Sequence, residues 1–377
     1  MLYKDVLSNR PTLRFPIRLL INAFYAFISS SRTAKPIAMK IENTTICNLK
    51  CKMCPLQVGL KRNVGSLTFK NFKYIFDQVN PCYLNLTGIG EPITNSNIFQ
   101  IIKYARQKGA FVKLDTNGML LSKEYANKML DAKPNILSFS VDGTTKKTYE
   151  NIRTGAKFDT LIENLKYFVK RRNELKFKTQ IHTFMVAQKS NMREIPEYIK
   201  MMIDIGVDEI KGSFVVSLGG NKNLDKRMEK ADSEKAKKIV KEIQELYKKY
   251  PNRIEMDYII NHLKNFEEIS NGKMVLNSDK PCFMPWYIPY VTWDGYVCPC
   301  TFFSDNEVVY GNVFEQPFMK IWNNKKAQEF RKQLLKKRIG ICEGCSMDES
   351  FIYNRLKILS KIPFFKFLSY RKWNTQK

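Results

Sequence analysis

Between Ala38 and about Leu218, short apolar runs alternate with longer stretches of helical periodicity. That alternation constrains the fold most strongly, because a strand reaches a parallel neighbour only through a long crossover, usually a helix. Six strands are expected, over Met39–Glu42, Tyr83–Thr87, Phe111–Asp115, Ile136–Val141, Thr179–Val186 and Glu209–Val215. Helices are expected between them, including Asn97–Lys108, Phe158–Arg172 and Ile195–Ile205, where apolar residues recur at helical spacing. About six such β/α units make an incomplete barrel.

Gly219-Gly220-Asn221 breaks the pattern, and Ala231–Tyr250 then reads as a charged, solvent-exposed helix connecting two domains. The following region holds five of the nine cysteines, with the Gly, Pro and Trp punctuation of a small metal-held module. The expected parts are an N-terminal amphipathic segment (1–36), the partial barrel (37–230), a helical connector (231–276), the cysteine-rich module (277–347) and a basic aromatic tail (348–377).

Nine cysteines are too few for a disulfide scaffold in 377 residues, and they cluster at 47–54, 282–300 and 342–345, with Cys82 alone as a core thiol. Clustering favours metal ligation, which needs free thiolates and hence a reducing, cytoplasmic setting. The formal charge of +27 attracts anions: phosphates, nucleic acid or anionic lipid headgroups. Plain solvation by a Lys-rich surface is equally open. Ile17–Ile28 is apolar except for Arg18 and Asn22, too short to span a bilayer. It is expected as an amphipathic helix packed on the body or lying on the inner membrane surface, a contact to which Phe364–Leu368 could add.

Cys47, Cys51 and Cys54 follow the first expected strand, at the end where parallel sheets bind ligands. Four-iron clusters ordinarily take four cysteines, so three in one loop leave one iron open. On spacing alone, a three-cysteine zinc site or inert buried thiols stay open.

The Cys-x3-Cys-x2-Cys spacing resembles that of the radical S-adenosyl-L-methionine (radical SAM) superfamily, and further segments recur in order. Gly88-Ile89-Gly90-Glu91-Pro92 resembles the family's GGEP motif, with Ile89 in place of the first glycine of the pair. Thr116-Asn117-Gly118 and Ser138-Phe139-Ser140-Val141-Asp142-Gly143 resemble segments that line the SAM site. Arg153 matches an arginine that pairs with the SAM carboxylate, and Met53 stands where the family usually places an aromatic against adenine. Each segment alone is a common turn; their order at successive strand ends carries the resemblance.

The resemblance implies a TIM-like partial (β/α)6 barrel with SAM contacts from Met53, Gly90, Glu91, Pro92, Asn117, Ser140, Asp142 and Arg153. It also implies reductive cleavage of SAM to a 5′-deoxyadenosyl radical that abstracts a substrate hydrogen. Cys282, Gly295, Cys300 and the pair Cys342 and Cys345 resemble the SPASM/Twitch extension of such enzymes. That implies a second, auxiliary 4Fe-4S cluster on four cysteines, with Cys298 spare or a substitute for Cys300. A structural zinc site is the alternative for this set.

The substrate is expected to be a small, anionic or lipid- or sugar-linked molecule that is oxidised or rearranged, with electrons from an external donor such as flavodoxin or ferredoxin. Peptide or RNA modification by the same radical chemistry is the alternative, although nothing resembles an appended RNA-binding motif. A non-catalytic iron–sulfur or zinc protein is a third reading. No general base is assigned; His182, in an alternating strand, is expected in the core or lining the barrel.

Overall fold

The computed structural model describes residues 14–27, 31–214, 233–264, 282–336 and 342. Gly219-Gly220-Asn221, Cys345, Phe364–Leu368 and the basic tail lie outside the described residues. The six expected strands form within two residues of their anticipated bounds: β1 Ala38–Ile41, β2 Tyr83–Asn85, β3 Phe111–Thr116, β4 Ile136–Ser140, β5 Gln180–Ala187 and β6 Glu209–Phe214. They pair parallel in chain order. Helix α1 (Arg14–Phe27) precedes them; α2 (Phe69–Val79), α3 (Ile98–Gln107), α4 (Lys123–Ala132), α5 (Lys146–Ile152), α6 (Phe158–Glu174) and α7 (Ile195–Ile205) cross between them. Local chemistry sets several starts. The hydroxyls of Thr68, Ser122 and Thr145 cap α2, α4 and α5 by accepting backbone N–H groups two or three residues into the helix.

Strand alternation sorts the residues onto two faces. Met39, Leu84, Val112, Leu114, Leu137, Phe139, Ile181 and Ile210 are buried in the main apolar core, toward the helices. The other face lines the barrel and is polar: Lys40, Asn85 and Lys113 are register partners, as are Asp115, Ser138, His182 and Glu209. Lumen charges are largely paired, with Lys211 2.8 Å from Glu209 and 3.2 Å from Glu255, and Lys113 3.5 Å from Asp115. His182 lines this face and is buried, with Nδ1 lacking a hydrogen-bond partner among the described residues.

The sheet is longer than six strands. Beyond β6 lies β7 (Ile254–Glu255), and before β1 lie β8 (Tyr290–Val291), β9 (Tyr296–Cys298) and β10 (Gly311–Asn312), giving ten in one sheet. β8 pairs parallel with β1, so the cysteine-rich region continues the barrel's own sheet. Runs of two or three residues carry too little periodicity to be seen in sequence.

The connector helix also differs from expectation. α8 (Ser233–Lys249) is not solvent-exposed all round: Ala236, Ile239, Val240 and Ile243 are buried, and it packs on α7 and on α9 (Asp257–Lys264). Its apolar stripe at helical spacing is hidden among lysines and glutamates. α1 packs on the N-terminal ends of the strands, where Phe15 joins Ala38, Tyr83, Phe111, Ile136 and Trp286 in a second apolar cluster. α10 (Met284–Tyr287), α11 (Phe318–Trp322) and α12 (Lys325–Lys336) complete the module. Among the described residues no helix is long and apolar enough to cross a membrane.

Candidate active site at the strand ends

The cysteine loop is held from two sides by backbone. Lys50 N–H donates to Thr154 O and Lys52 N–H to Ile152 O, which lays Ile152-Arg153-Thr154 along the loop. Opposite, Gly90 N–H donates to Thr44 O at 3.1 Å and Glu91 N–H to Ile46 O at 2.9 Å. A Cβ on residue 90 would lie 2.5 Å from Ile46 O, so this approach demands glycine. Within the loop, Cys54 N–H donates to Cys51 O. Cys47 and Cys54 are half-buried and Cys51 is buried.

Three of the sequence-derived residues have carboxylate or amide groups already engaged. Glu91 accepts from Thr116 Oγ1 (2.7 Å), Asn117 N–H (2.7 Å) and Ile93 N–H (3.2 Å), which binds the two strand-end loops together. Asn117 Nδ2 donates to Asn48 Oδ1 at 2.8 Å and lies 4.0 Å from Cys47 Sγ. Asp142 accepts from Arg153 Nε and Val186 N–H, both at 2.7 Å, while Arg153 Nη1 lies 3.9 Å from Cys51 Sγ. Ser140 ends β4 on the lumen face, half-buried. Met53 is half-buried against the core, and Pro92 opens a 3-10 turn in which the Glu91 carboxylate accepts the Ile93 N–H.

Burial pushes all three thiols up, Cys54 to about 11, while the Arg153 cation opposes the rise at Cys51. Burial is the largest influence on Arg153 and lowers it, but Asp142, Tyr149 and Cys51 together hold the guanidinium above its ordinary value. A buried cation beside soft thiols suits a ligand that keeps those thiols ionised.

In the module, Cys282 and Cys300 are half-buried and Cys342 is buried, all joining the main core. Cys298 is buried on β9, where its Sγ faces Asn306 Oδ1 at 3.7 Å and burial raises its thiol well above the ordinary value. Cys345 lies outside the described residues. Among the described residues no three His, Cys, Asp or Glu side chains converge as a single metal ion requires.

One group between the two cysteine regions was not singled out from sequence. Glu42 Oε1 accepts from Arg62 Nη2 (2.6 Å) and Tyr290 Oη (2.8 Å), and Arg62 Nε donates to Ser304 O. The alternation that turns Lys40 into the lumen also turns Glu42 inward, and that was the available signal.

The family model described as "Radical SAM superfamily" matches residues 41–202, and the SPASM "Iron-sulfur cluster-binding domain" model matches 282–346. The chain belongs to the radical SAM superfamily. It carries the C-terminal SPASM iron–sulfur domain, and its activity is of the radical SAM oxidoreductase type. It is 29% identical over 329 residues to the AdoMet-dependent heme synthase of Methanosarcina barkeri, covering 82% of this chain and 89% of that protein. It is 24% identical over 230 residues to the PqqA peptide cyclase of Bradyrhizobium diazoefficiens, covering 60% and 58%. Among solved structures, Streptococcus suis SuiB bound to precursor peptide SuiA superposes with a TM-score of 0.62 at 16% identity, over 86% of this chain and 73% of that one. That likeness speaks to the fold.

Proposed function

We propose that this radical SAM enzyme acts on a peptide. The observation that carries the site assignment is the convergence of two strand-end segments and one helix end on one cysteine loop: Gly90-Glu91, Thr116-Asn117 and, through backbone pairing, Ile152–Thr154 at the end of α5. Cys47, Cys51 and Cys54 hold the SAM-binding 4Fe-4S cluster, and Cys282, Cys300, Cys342 and Cys345 hold the auxiliary one. Bound there, SAM and its cluster supply a 5′-deoxyadenosyl radical that abstracts hydrogen from substrate.

The chain's own side chains divide the remaining work. Ser140, Met53 and the Gly90 carbonyl offer the SAM contacts, while Pro92, which lacks an N–H and whose carbonyl accepts from Asn43 and Asn95, shapes the turn beside them. Glu91 and Asp142 position the loops, Glu91 by accepting from Thr116 and Asn117 and Asp142 from Arg153 and Val186, and each carboxylate keeps acceptor capacity for the cofactor. Arg153 keeps a fixed cation beside Cys51. Lys52 and Lys189 border a cleft of about 650 Å³ beside the loop. This basic approach suits an acidic external donor such as flavodoxin or ferredoxin.

Support for a peptide comes from the PqqA peptide cyclase relative and from the SuiB fold, whose structure holds a precursor peptide. The expectation of a sugar- or lipid-linked small molecule has less behind it. A second small-molecule reading, a carboxylated ligand, has its own observation. Lys40 Nζ, on the lumen face, makes no ion pair or hydrogen bond among the described residues, and a heme synthase is among the relatives. Deuterium transfer into 5′-deoxyadenosine, from deuterated peptides and from deuterated carboxylated small molecules, tests both. Label arriving only from small molecules would sink the peptide assignment.

A further inference from the structure

Helix α1 buries one mixed face and leaves a second, apolar face uncovered: Phe15 is buried, and Leu19 and Tyr25 pack against the same cluster. Its polar residues point into the protein: Arg18 donates to Val79 O (3.1 Å) and Asn80 O (2.9 Å), at the carboxyl end of α2. Asn22 donates to Lys35 O (3.0 Å) and accepts from Thr33 Oγ1 (3.0 Å). These contacts satisfy carbonyls that a helix end and an irregular entry strand would otherwise leave open. With Arg18, Asn22 and Phe15 turned inward, a second set of apolar residues faces outward. Ile17, Leu20, Ile21 and Phe24 recur at i, i+3, i+4 and i+7, and they are 56%, 53%, 42% and 40% exposed. Four large apolar side chains on one helix face mark an interaction surface.

The surroundings of this stripe are basic. The loops that enter the strands at the same end of the barrel carry exposed Lys35 before β1, Lys108 before β3, Lys133 before β4, and Lys176 and Lys178 before β5. Arg14 donates to Lys108 O at 3.1 Å, which sets the helix beside this ring. Nearby carboxylates Asp208 and Glu174 are taken up by Arg172 and Arg171. The chain as a whole carries +27.

An apolar stripe rimmed by lysines discriminates among occupants. A second copy would bring its own lysine ring against this one, and like charges repel. A nucleic acid would use the lysines and leave the apolar stripe without purpose. An anionic bilayer uses both, since acyl chains take the apolar side chains and headgroups take the ammonium groups. We propose that α1 and the lysine-bearing loops dock the protein peripherally on an anionic lipid bilayer. The cysteine loop lies at the opposite, carboxyl ends of the strands, so the active end then faces the aqueous phase.

Flotation of the full-length, cluster-loaded protein with phosphatidylcholine vesicles and with phosphatidylglycerol-rich vesicles tests this. At least about tenfold more protein is expected on the anionic vesicles, falling as salt is raised. Leu20→Ser/Ile21→Ser should lower that binding about tenfold or more. Lys108→Glu/Lys133→Glu/Lys176→Glu should lower it by about fivefold for each lysine lost. Iron content and SAM cleavage without vesicles should not change in either variant, because all five side chains are exposed and lie at the end of the barrel opposite the loop of Cys47, Cys51 and Cys54. Equal binding to both vesicle types would overturn the proposal. So would full binding by the Leu20→Ser/Ile21→Ser variant, which would assign the contact to another basic segment. A concentration-dependent dimer that this variant abolishes, without vesicle binding, would assign the stripe to a second copy.

Discussion

Replacing Gly90 by alanine asks whether the glycine-rich segment positions the cysteine loop. The added Cβ would lie 2.5 Å from Ile46 O and 2.6 Å from Thr44 O. A carbon–oxygen contact is comfortable at about 3.3 Å, so the segments must part by about 0.8 Å. Both oxygens belong to backbone, and no rotamer change relieves the clash. The hydrogen bonds Gly90 N–H to Thr44 O and Glu91 N–H to Ile46 O hold the segments at this spacing and must stretch. Overpacking of this kind costs about 1–3 kcal/mol. Ile46 immediately precedes Cys47, so the shift reaches the first cysteine, and a displacement near 1 Å can slow chemistry about a hundredfold. The assay is iron content after anaerobic reconstitution, together with the initial rate of 5′-deoxyadenosine formation under dithionite. Gly206→Ala is the control: φ is 87° and the nearest neighbour, Val169, is 3.6 Å away. It strains the backbone by about 1–3 kcal/mol at the end of α7 without touching the loop. Wild-type iron content and rate in Gly90→Ala would refute the reasoning. Equal losses in the two variants would do the same, because general destabilisation would then suffice.

Burial, and then Lys211, lowers His182 to about 3, so the native protein excludes a proton that the unfolded chain takes up below about pH 6.5. Its stabilisation is complete above that pH and is lost as pH falls toward 3. Urea unfolding should show His182→Gln losing about 2 kcal/mol less than wild type between pH 7 and pH 5; matching losses would acquit the histidine. Arg331 is buried, donates to Ser31 O, Pro285 O and Trp322 O, and stacks 4.4 Å from the Trp322 ring. Arg331→Met should destabilise by about 3 kcal/mol or more in denaturant titration, because three carbonyls lose their donor. For the auxiliary cysteines, Cys300→Ser should lose about four irons per chain in a colorimetric assay while Cys298→Ser keeps them. The reverse result would make Cys298 the ligand.

The barrel was legible in sequence because each strand is a short alternating run between polar breaks, and the strand-end segments could be placed once the strands were known. What escaped has physical reasons. The stripe Ala236, Ile239, Val240 and Ile243 is diluted by the charged face of α8, so overall polarity concealed one-sided burial. The β1–β8 pairing joins residues about 250 positions apart through a two-residue strand, and no local pattern encodes such a partner. The motif resemblance gave Glu91 and Asp142 as cofactor contacts; that both also tie neighbouring loops together is visible only in the structure. Spacing identifies which residues share a site but not which atoms bond to one another.

The β1–β8 pairing explains why a buried charge is kept between the two cysteine regions. Glu42 lies just past the end of β1, Arg62 lies in the segment that follows Cys54, and Tyr290 belongs to β8. All three meet at the Glu42 carboxylate. The pair is poorly suited to be a stability device: both side chains are nearly inaccessible, and Arg62 Nη1 is buried without a partner. Apolar packing of the same volume stabilises as well as or better than such a pair. Its use is registration. One carboxylate ties the barrel's first strand, the segment after the cysteine loop and the first strand of the module. Trp293 extends the tie, with its ring against Gly65 and its indole N–H on Asn63 O. The module also shares the main apolar core through Val297, Phe303 and Trp322. With that packing and the tie at Glu42, it holds Cys300 at a fixed offset from the loop of Cys47, Cys51 and Cys54.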